Sequence, residues 1–183
     1  MNTQIDLSAT GITTERLILR PWQESDAQDM YEYAKVEGVG EPAGWRHHES
    51  IEESREILQM FMKNKWELAI ALKESGKVIG SMGIKNSWVE DDEEYLHLRA
   101  KEIGYVLSKD YWGRGLMPEA VEAIKEFCFE TLKLDALTAC HFLHNTRSER
   151  VIKKCGFKFV KTQEFHSKLL NDDFVDAMYI CLP

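Results

Sequence analysis

The sequence has no C-x-x-C pair. Its four cysteines, Cys128, Cys140, Cys155 and Cys181, lie far apart, each within an apolar stretch. That spacing reads as buried free thiols, which belong to a reducing cytoplasm. No apolar run reaches the roughly 18 to 20 residues that a membrane helix needs. Met1 to Thr10 lack the cationic-then-apolar succession of a secretory signal, so residues 1–12 read as a flexible tail. Positive charge is scarce: 23 Lys and Arg stand against 31 Asp and Glu, a formal net charge of -8. A nucleic-acid backbone wants a basic footprint, so nucleic acid is a poor partner, whereas a cationic amine is compatible. Internal repeats and low-complexity linkers are also lacking, which leaves residues 13–183 as a single domain. What is present in quantity is hydrophobic residue, 44% of the chain and enough for a core without a staple.

The patterning alternates between strand and helix signals. Thr14 to Arg20 sets Leu17 and Leu19 against Arg16, Ile18 and Arg20 and ends at Pro21, as a short outer strand does. Ser25 to Gln28 has the form of a capping box opening a helix that runs to about Glu37. A loop over Gly40 to Glu49 follows, then a second box, Ser50 to Glu53, with Ile51, Leu58, Phe61 and Met62 on one helix face. Trp66 to Leu72 and Val78 to Ile84 form a hairpin, and Glu102 to Leu107 another strand after the acidic loop Glu90 to Glu94. A helix from Pro118 to Leu132, a strand Ala136 to Phe142, a short helix Thr146 to Lys154 and strands Phe157 to Gln163 and Phe174 to Cys181 complete the chain. The fold class is therefore α+β, a mixed α/β arrangement with a largely antiparallel sheet and helices on both faces.

The strand Tyr105-Val106-Leu107 delivers the chain into Trp112-Gly113-Arg114-Gly115-Leu116-Met117, where a helix opens. Glycines allow positive φ and close approach of a phosphate, and a helix start presents free N–H groups and positive charge. Arg114 can add a charged contact. A P-loop would need G-K-[ST], and a dinucleotide fingerprint would need a third glycine; neither occurs. Alone, the turn supports a generic anion site or plain turn chemistry.

A second block lies downstream, Asn145-Thr146-Arg147-Ser148 through Val151, Lys154, Gly156 and Phe157. Its spacing N-x-x-S-x-x-V-x-x-K-x-G-F after a strand resembles the GNAT superfamily of N-acetyltransferases. Glu102 to Gly115 is similar to that family's strand 4 and pyrophosphate loop. Thr14-Glu15-Arg16-Leu17-Ile18-Leu19-Arg20-Pro21 resembles the opening of the RimJ/RimL branch, which acetylates ribosomal-protein N-termini, and Asp176 and Tyr179 also match. The resemblance covers Thr14 to Cys181. One position departs: Met117 stands where the family usually has Gly or Ala, so its side chain must point away from the phosphates or crowd them.

The resemblance implies a sheet splayed between strands 4 and 5, with acetyl-CoA as co-substrate in the wedge and no metal. Tyr105, Val106 and Leu107 would pair with the pantetheine arm, and Trp112, Gly113, Arg114, Gly115, Leu116 and Met117 would hold the pyrophosphate. Asn145 would hydrogen-bond the arm, or else simply start the helix. Ser148 would donate to the departing thiolate, a role compatible with lying in the helix's first turn. The attacking amine must be neutral, and Glu102 and Glu164 are the two candidate bases. The acceptor implied is a protein N-terminal α-amine; alternatives are a small amine or an inactive acyl-CoA-binding module. The oligomeric state stays open, with a homodimer among the alternatives.

Three further motifs carry less. His141 and His144 sit three apart on a strand and so face opposite ways, awkward for a shared metal. His47-His48, with Trp45 and Arg46, reads as loop surface, with substrate contact the alternative. Glu90 to Glu94 reads as a solvated loop or as a cation-attracting lip.

Overall fold

The computed structural model describes residues 5–167 and 169–183. Eight strands form one sheet: β1 (Ile12–Thr13), β2 (Leu17–Pro21), β3 (Glu67–Leu72), β4 (Val78–Asn86), β5 (Ala100–Leu107), β6 (Ala136–Phe142), β7 (Lys158–Ser167) and β8 (Asp172–Cys181). Their order is β1-β2-β3-β4-β5-β6-β8-β7. Every neighbouring pair is antiparallel except β5 and β6. A parallel pair needs a crossover, and α3 (Leu116–Glu126) supplies it.

Four α-helices cover the two faces. On one, α1 (Ala27–Ala34) and α2 (Ile51–Asn64) bury Met30, Tyr33 and Leu58 against Ala69, Ala71 and Val78. On the other, α3 and α4 (Thr146–Lys154) set Val121, Ile124 and Ile152 against Leu19, Ile70, Ile103 and Leu137. The alternation in β2 holds as read: Leu17 and Leu19 are both fully buried. In α2 the Glu53 N–H donates to the Ser50 hydroxyl at 3.2 Å, the cap its sequence calls for.

Several expectations need correction. Helix α1 does not start on a Ser25 box. The Asp26 carboxylate accepts the Gln23 N–H at 2.9 Å and is gripped by both terminal nitrogens of Arg20, at 2.7 and 2.8 Å. A strand residue thus selects Asp26 over Ser25, which local spacing does not reveal. The expected helix 118–132 starts earlier, at Leu116, and its last turn widens to a π-helix over Phe127–Thr131 with Cys128 buried. The expected tail is tied down from residue 5 onward: Leu7 is buried in the core, and its N–H donates to the Lys65 carbonyl at 2.7 Å. Ile12 and Thr13 pair as β1. The first four residues of that tail lie outside the described residues.

The feature that makes a site is where pairing stops. Strands β5 and β6 register only over Ala100↔Ala136, Lys101↔Leu137 and Glu102↔Thr138. Beyond that point β5 runs on to Leu107 beside β4, and β6 runs on to Phe142 beside β8. The strands part as a wedge.

Candidate active site

A cleft of about 920 Å³ fills the wedge, within the size range of small-molecule sites. One wall is Tyr105, Val106 and Leu107 with the turn before α3 and the start of α4. The other is Glu102, Cys140, Phe142 and Asp176. The unpaired edge of β5 past Glu102 offers main-chain groups to an extended ligand, as an added strand would use them.

The turn has the conformation its glycines permit. Gly113 and Gly115 have φ of 74° and 75°, and Gly115 is the residue before α3. An added Cβ at Gly113 would meet nothing within 4 Å, so the requirement there is positive φ rather than space. The turn is braced from β2's side of the sheet. Arg16 donates to the Arg114 carbonyl at 2.9 Å and to Glu119 at 2.7 Å, while the Thr14 hydroxyl donates to Glu119 at 2.6 Å. Burial would raise the Glu119 carboxyl, but the hydrogen bonds from Thr14 and Arg16 hold it below its usual range.

Met117 contributes its side chain to the core, where it is 5% exposed. Its backbone lies in the first turn of α3, whose N–H groups have no intrahelical acceptor and remain for an anion. Arg114 folds away from the cleft, donating to the Asp110 carbonyl at 2.5 Å and covering the Tyr111 ring. The cations lining the cleft are Arg147, Arg150 and Lys154 on α4 and Lys85 on β4. Arg147 lies 4.2 Å over the Trp112 ring, and the Trp112 indole donates to the Leu107 carbonyl at 2.8 Å.

At the start of α4, Asn145 accepts the Ser148 N–H at 3.2 Å and donates to the Pro42 carbonyl at 3.1 Å. Capping by Asn145 occupies the Ser148 backbone and leaves its hydroxyl free. That hydroxyl lies 3.0 Å from the Tyr105 hydroxyl. Burial pushes the Tyr105 phenol up, outweighing the opposing hydrogen bond from Ser148, so it stays protonated.

The opposite wall is carboxylate. Glu102 is 6% exposed, with Lys85 at 3.1 Å and the Cys140 thiol donating at 3.5 Å. Burial opposes the Lys85 charge, but Glu102 outweighs it and raises the ammonium's pKa. The Cys140 thiol is pushed well up by burial and by Glu102. Asp176, 7% exposed, is also raised, by burial first and then by the charge of Glu102.

Residues 16–158 match the family described as acetyltransferase (GNAT) domain. The chain belongs to the GNAT acetyltransferases. An uncharacterized N-acetyltransferase of Bacillus subtilis, YoaA, is 28% identical over 152 residues, covering 80% of this chain and 82% of that one. A GNAT-family acetyltransferase from Bacillus anthracis superposes with a TM-score of 0.82 at 22% identity, over 94% of this chain and 98% of the other. A ribosomal-protein-S5-alanine acetyltransferase from Vibrio fischeri gives 0.69 at 19% identity, over 94% and 96%.

Set in this acetyltransferase, the residues read from sequence divide. Glu102, Tyr105 to Leu107, Trp112, Gly113, Gly115 to Met117, Asn145 and Ser148 all line the cleft. The Arg114 side chain does not. Glu164 does not either: it is exposed on β7, opposite Val175, and β7 is the sheet edge beyond β8. Its β7 neighbour Phe165 does line the cleft, and alternation along the strand turns Glu164 to the opposite face. Arg147, Arg150 and Lys154 were missed, although their spacing of three and four is that of one helix face. His48 is buried against Ser54 at 2.7 Å, a packing role. His141 bonds the Phe142 carbonyl at 2.9 Å and approaches the Tyr179 hydroxyl at 3.4 Å. Glu90 and Asp91 do reach the cleft rim.

Proposed function

We propose that this acetyltransferase moves the acetyl group of acetyl-CoA directly to a protein N-terminal α-amine. The observation that carries the chemistry is the Tyr105–Ser148 hydroxyl pair at 3.0 Å inside a wedge floored by the glycine turn. The cleft suits the co-substrate. The first-turn N–H groups of α3 take its pyrophosphate, the α4 cations lie beside its phosphates, and the free edge of β5 pairs with its extended arm. A main-chain N–H of β5 polarises the thioester carbonyl and holds the developing oxyanion. Ser148, backed by the protonated Tyr105, supplies the proton that the departing thiolate needs. The acceptor's own proton leaves toward the carboxylate wall where Glu102 lies.

An α-amine, with a reference pKa of about 7.7 to 8.0, frees its lone pair more readily than a lysine near 10.4. The Vibrio fischeri protein, by its description, acts on a ribosomal-protein N-terminus, and the shared fold supports the same acceptor class here. Glu90 and Asp91 at the rim favour a second reading, a small cationic amine. The buried or half-buried free cysteines fit a reducing cytoplasm. Among the described residues no helix is long and apolar enough to cross a membrane.

The test is thiol release from acetyl-CoA with matched panels of N-terminal peptides, their N-blocked lysine-bearing counterparts, and small polyamines. Turnover of free N-termini above the other two supports the proposal. Preference for polyamines moves the assignment to the second reading. Acetyl-CoA binding without turnover of any amine points to a binding module.

A further inference from the structure

Two carboxylates stand on the acceptor wall, and their surroundings differ. Glu102 is already engaged: Lys85 lies 3.1 Å from its Oε1, and the Cys140 thiol donates to the same oxygen. Asp176 is 7% exposed and lines the same cleft, yet no described residue hydrogen-bonds or ion-pairs with its carboxylate. Counting formal charges, Glu102 and Asp176 face a single Lys85, so the wall is one positive charge short. Desolvating an uncompensated carboxylate is costly, and structures retain such a group where a ligand completes it.

We infer that Asp176 is the group that receives the acceptor: it binds the incoming ammonium and takes its proton. Glu102, held by Lys85, is then a positioning residue that fixes the field around Asp176. The inference rests on the proposed acetyl transfer and assigns its base. The acceptor enters as R–NH3+ and gives one proton to Asp176, which passes it to solvent. The freed lone pair forms the C–N bond at the thioester carbonyl, and collapse of the intermediate breaks the C–S bond. The second proton lost by nitrogen reaches the thiolate through the Ser148 hydroxyl. The products are the amide, CoA thiol and one released proton.

The groups facing Asp176 are Glu102 on β5, Lys85 on β4, and Cys140 and His141 on β6. Its register partner on β7, Gln163, carries no charge. Burial and Glu102 raise the Asp176 carboxyl while Lys85 and His141 oppose them, and the net direction is upward. A base of raised pKa is better matched to an amine than an ordinary carboxylate.

The experiment compares wild type, Asp176→Asn, Asp176→Glu and Glu102→Gln in thiol-release kinetics with acetyl-CoA and free N-terminal peptides across pH, alongside thermal melts. Asp176→Asn is expected to lower kcat/KM for the amine by about 100-fold or more, the usual worth of a general base. It should erase the acid limb of the pH profile while leaving acetyl-CoA affinity unchanged. Asp176→Glu should regain part of the rate. Glu102→Gln should keep the acid limb, displaced toward lower pH because the charge that raises Asp176 is gone. Asp176→Asn should melt no lower than wild type at neutral pH, since it removes a buried unpaired charge. An acid limb intact in Asp176→Asn with kcat/KM within about threefold of wild type overturns the inference. So does loss of that limb in Glu102→Gln alone. Turnover of small amines but not peptides overturns only the N-terminal acceptor, and the same four proteins are then compared on that amine. No turnover of any amine by wild type overturns both.

Discussion

On the wall of the cleft proposed to face the thiol, Tyr105 and Ser148 are neutral hydroxyls hydrogen-bonded to each other, and Asn145 caps the helix that presents one of them. On the wall proposed to receive the acceptor, Glu102, Asp176 and Lys85 are charged and come from three different strands. The first wall is built mainly from one short stretch of chain and a helix start. The second exists only because β4, β5, β6 and β8 lie side by side. The contrast fits the proposed chemistry, in which a leaving thiolate needs a donor that stays protonated and an arriving ammonium needs an uncompensated negative charge. Burial serves both. It holds the Tyr105 proton in place and raises the Asp176 carboxyl, the direction the proposed base needs.

The largest effect expected on the thiol side concerns stability rather than rate. Met117→Ala should destabilise the fold by about 2–5 kcal/mol, the range for truncating a buried Met, as measured by denaturant unfolding. The protein that remains folded should bind acetyl-CoA as before, because the turn acts through its backbone. A loss of affinity in the folded fraction would break the division between side chain and main chain at this position. Next, Ser148→Ala should lower kcat about 100-fold with little change in KM for acetyl-CoA, since the lost interaction forms only as the thiolate departs. An equal fall in affinity would make Ser148 a binding residue instead.

A smaller effect is expected at Gly115. With φ of 75°, Gly115→Ala should cost about 1–2 kcal/mol in thermal or denaturant stability. It should also weaken acetyl-CoA by tilting the first N–H groups of α3, which calorimetry would detect. The smallest effect sharpens the acceptor wall by marking its limit. Glu164→Gln, on the exposed sheet edge, should leave kcat/KM and its pH profile within about twofold of wild type. A displaced profile would return Glu164 to the chemistry.

Most of the strands and helices were legible because their residues carry short-range signals. Leu17 and Leu19 alternate, Ser50 caps α2, and the glycines of the turn mark where helical φ is abandoned. The cofactor wall was legible for the same reason: Gly113 to Met117 and Asn145 to Ser148 are contiguous in the chain. Failures occurred where a distant residue decided the outcome. Arg20 made Asp26 rather than Ser25 the anchor of α1, and the Lys65 carbonyl tied down Leu7. Arg114 was expected at the phosphates, but the Asp110 carbonyl and the Tyr111 ring hold it elsewhere.

The sequence by itself determined the α+β class, the glycine turn at a helix start and the Asn145–Phe157 block through which the chain resembles the acetyltransferases. The turn and the helix starts rest on residues within a few positions of one another, where backbone geometry is set by local sterics and hydrogen bonds. Only the tertiary structure decided which carboxylates face the cleft. Glu102, Glu164 and Asp176 are all carboxylates; the sheet brings Asp176 beside Glu102 in the cleft, while on the edge strand β7 it is Phe165 and not its neighbour Glu164 that faces the cleft. Lateral order in a sheet is fixed by long-range packing of whole strands, and a single strand's sequence does not encode which neighbour lies next to it.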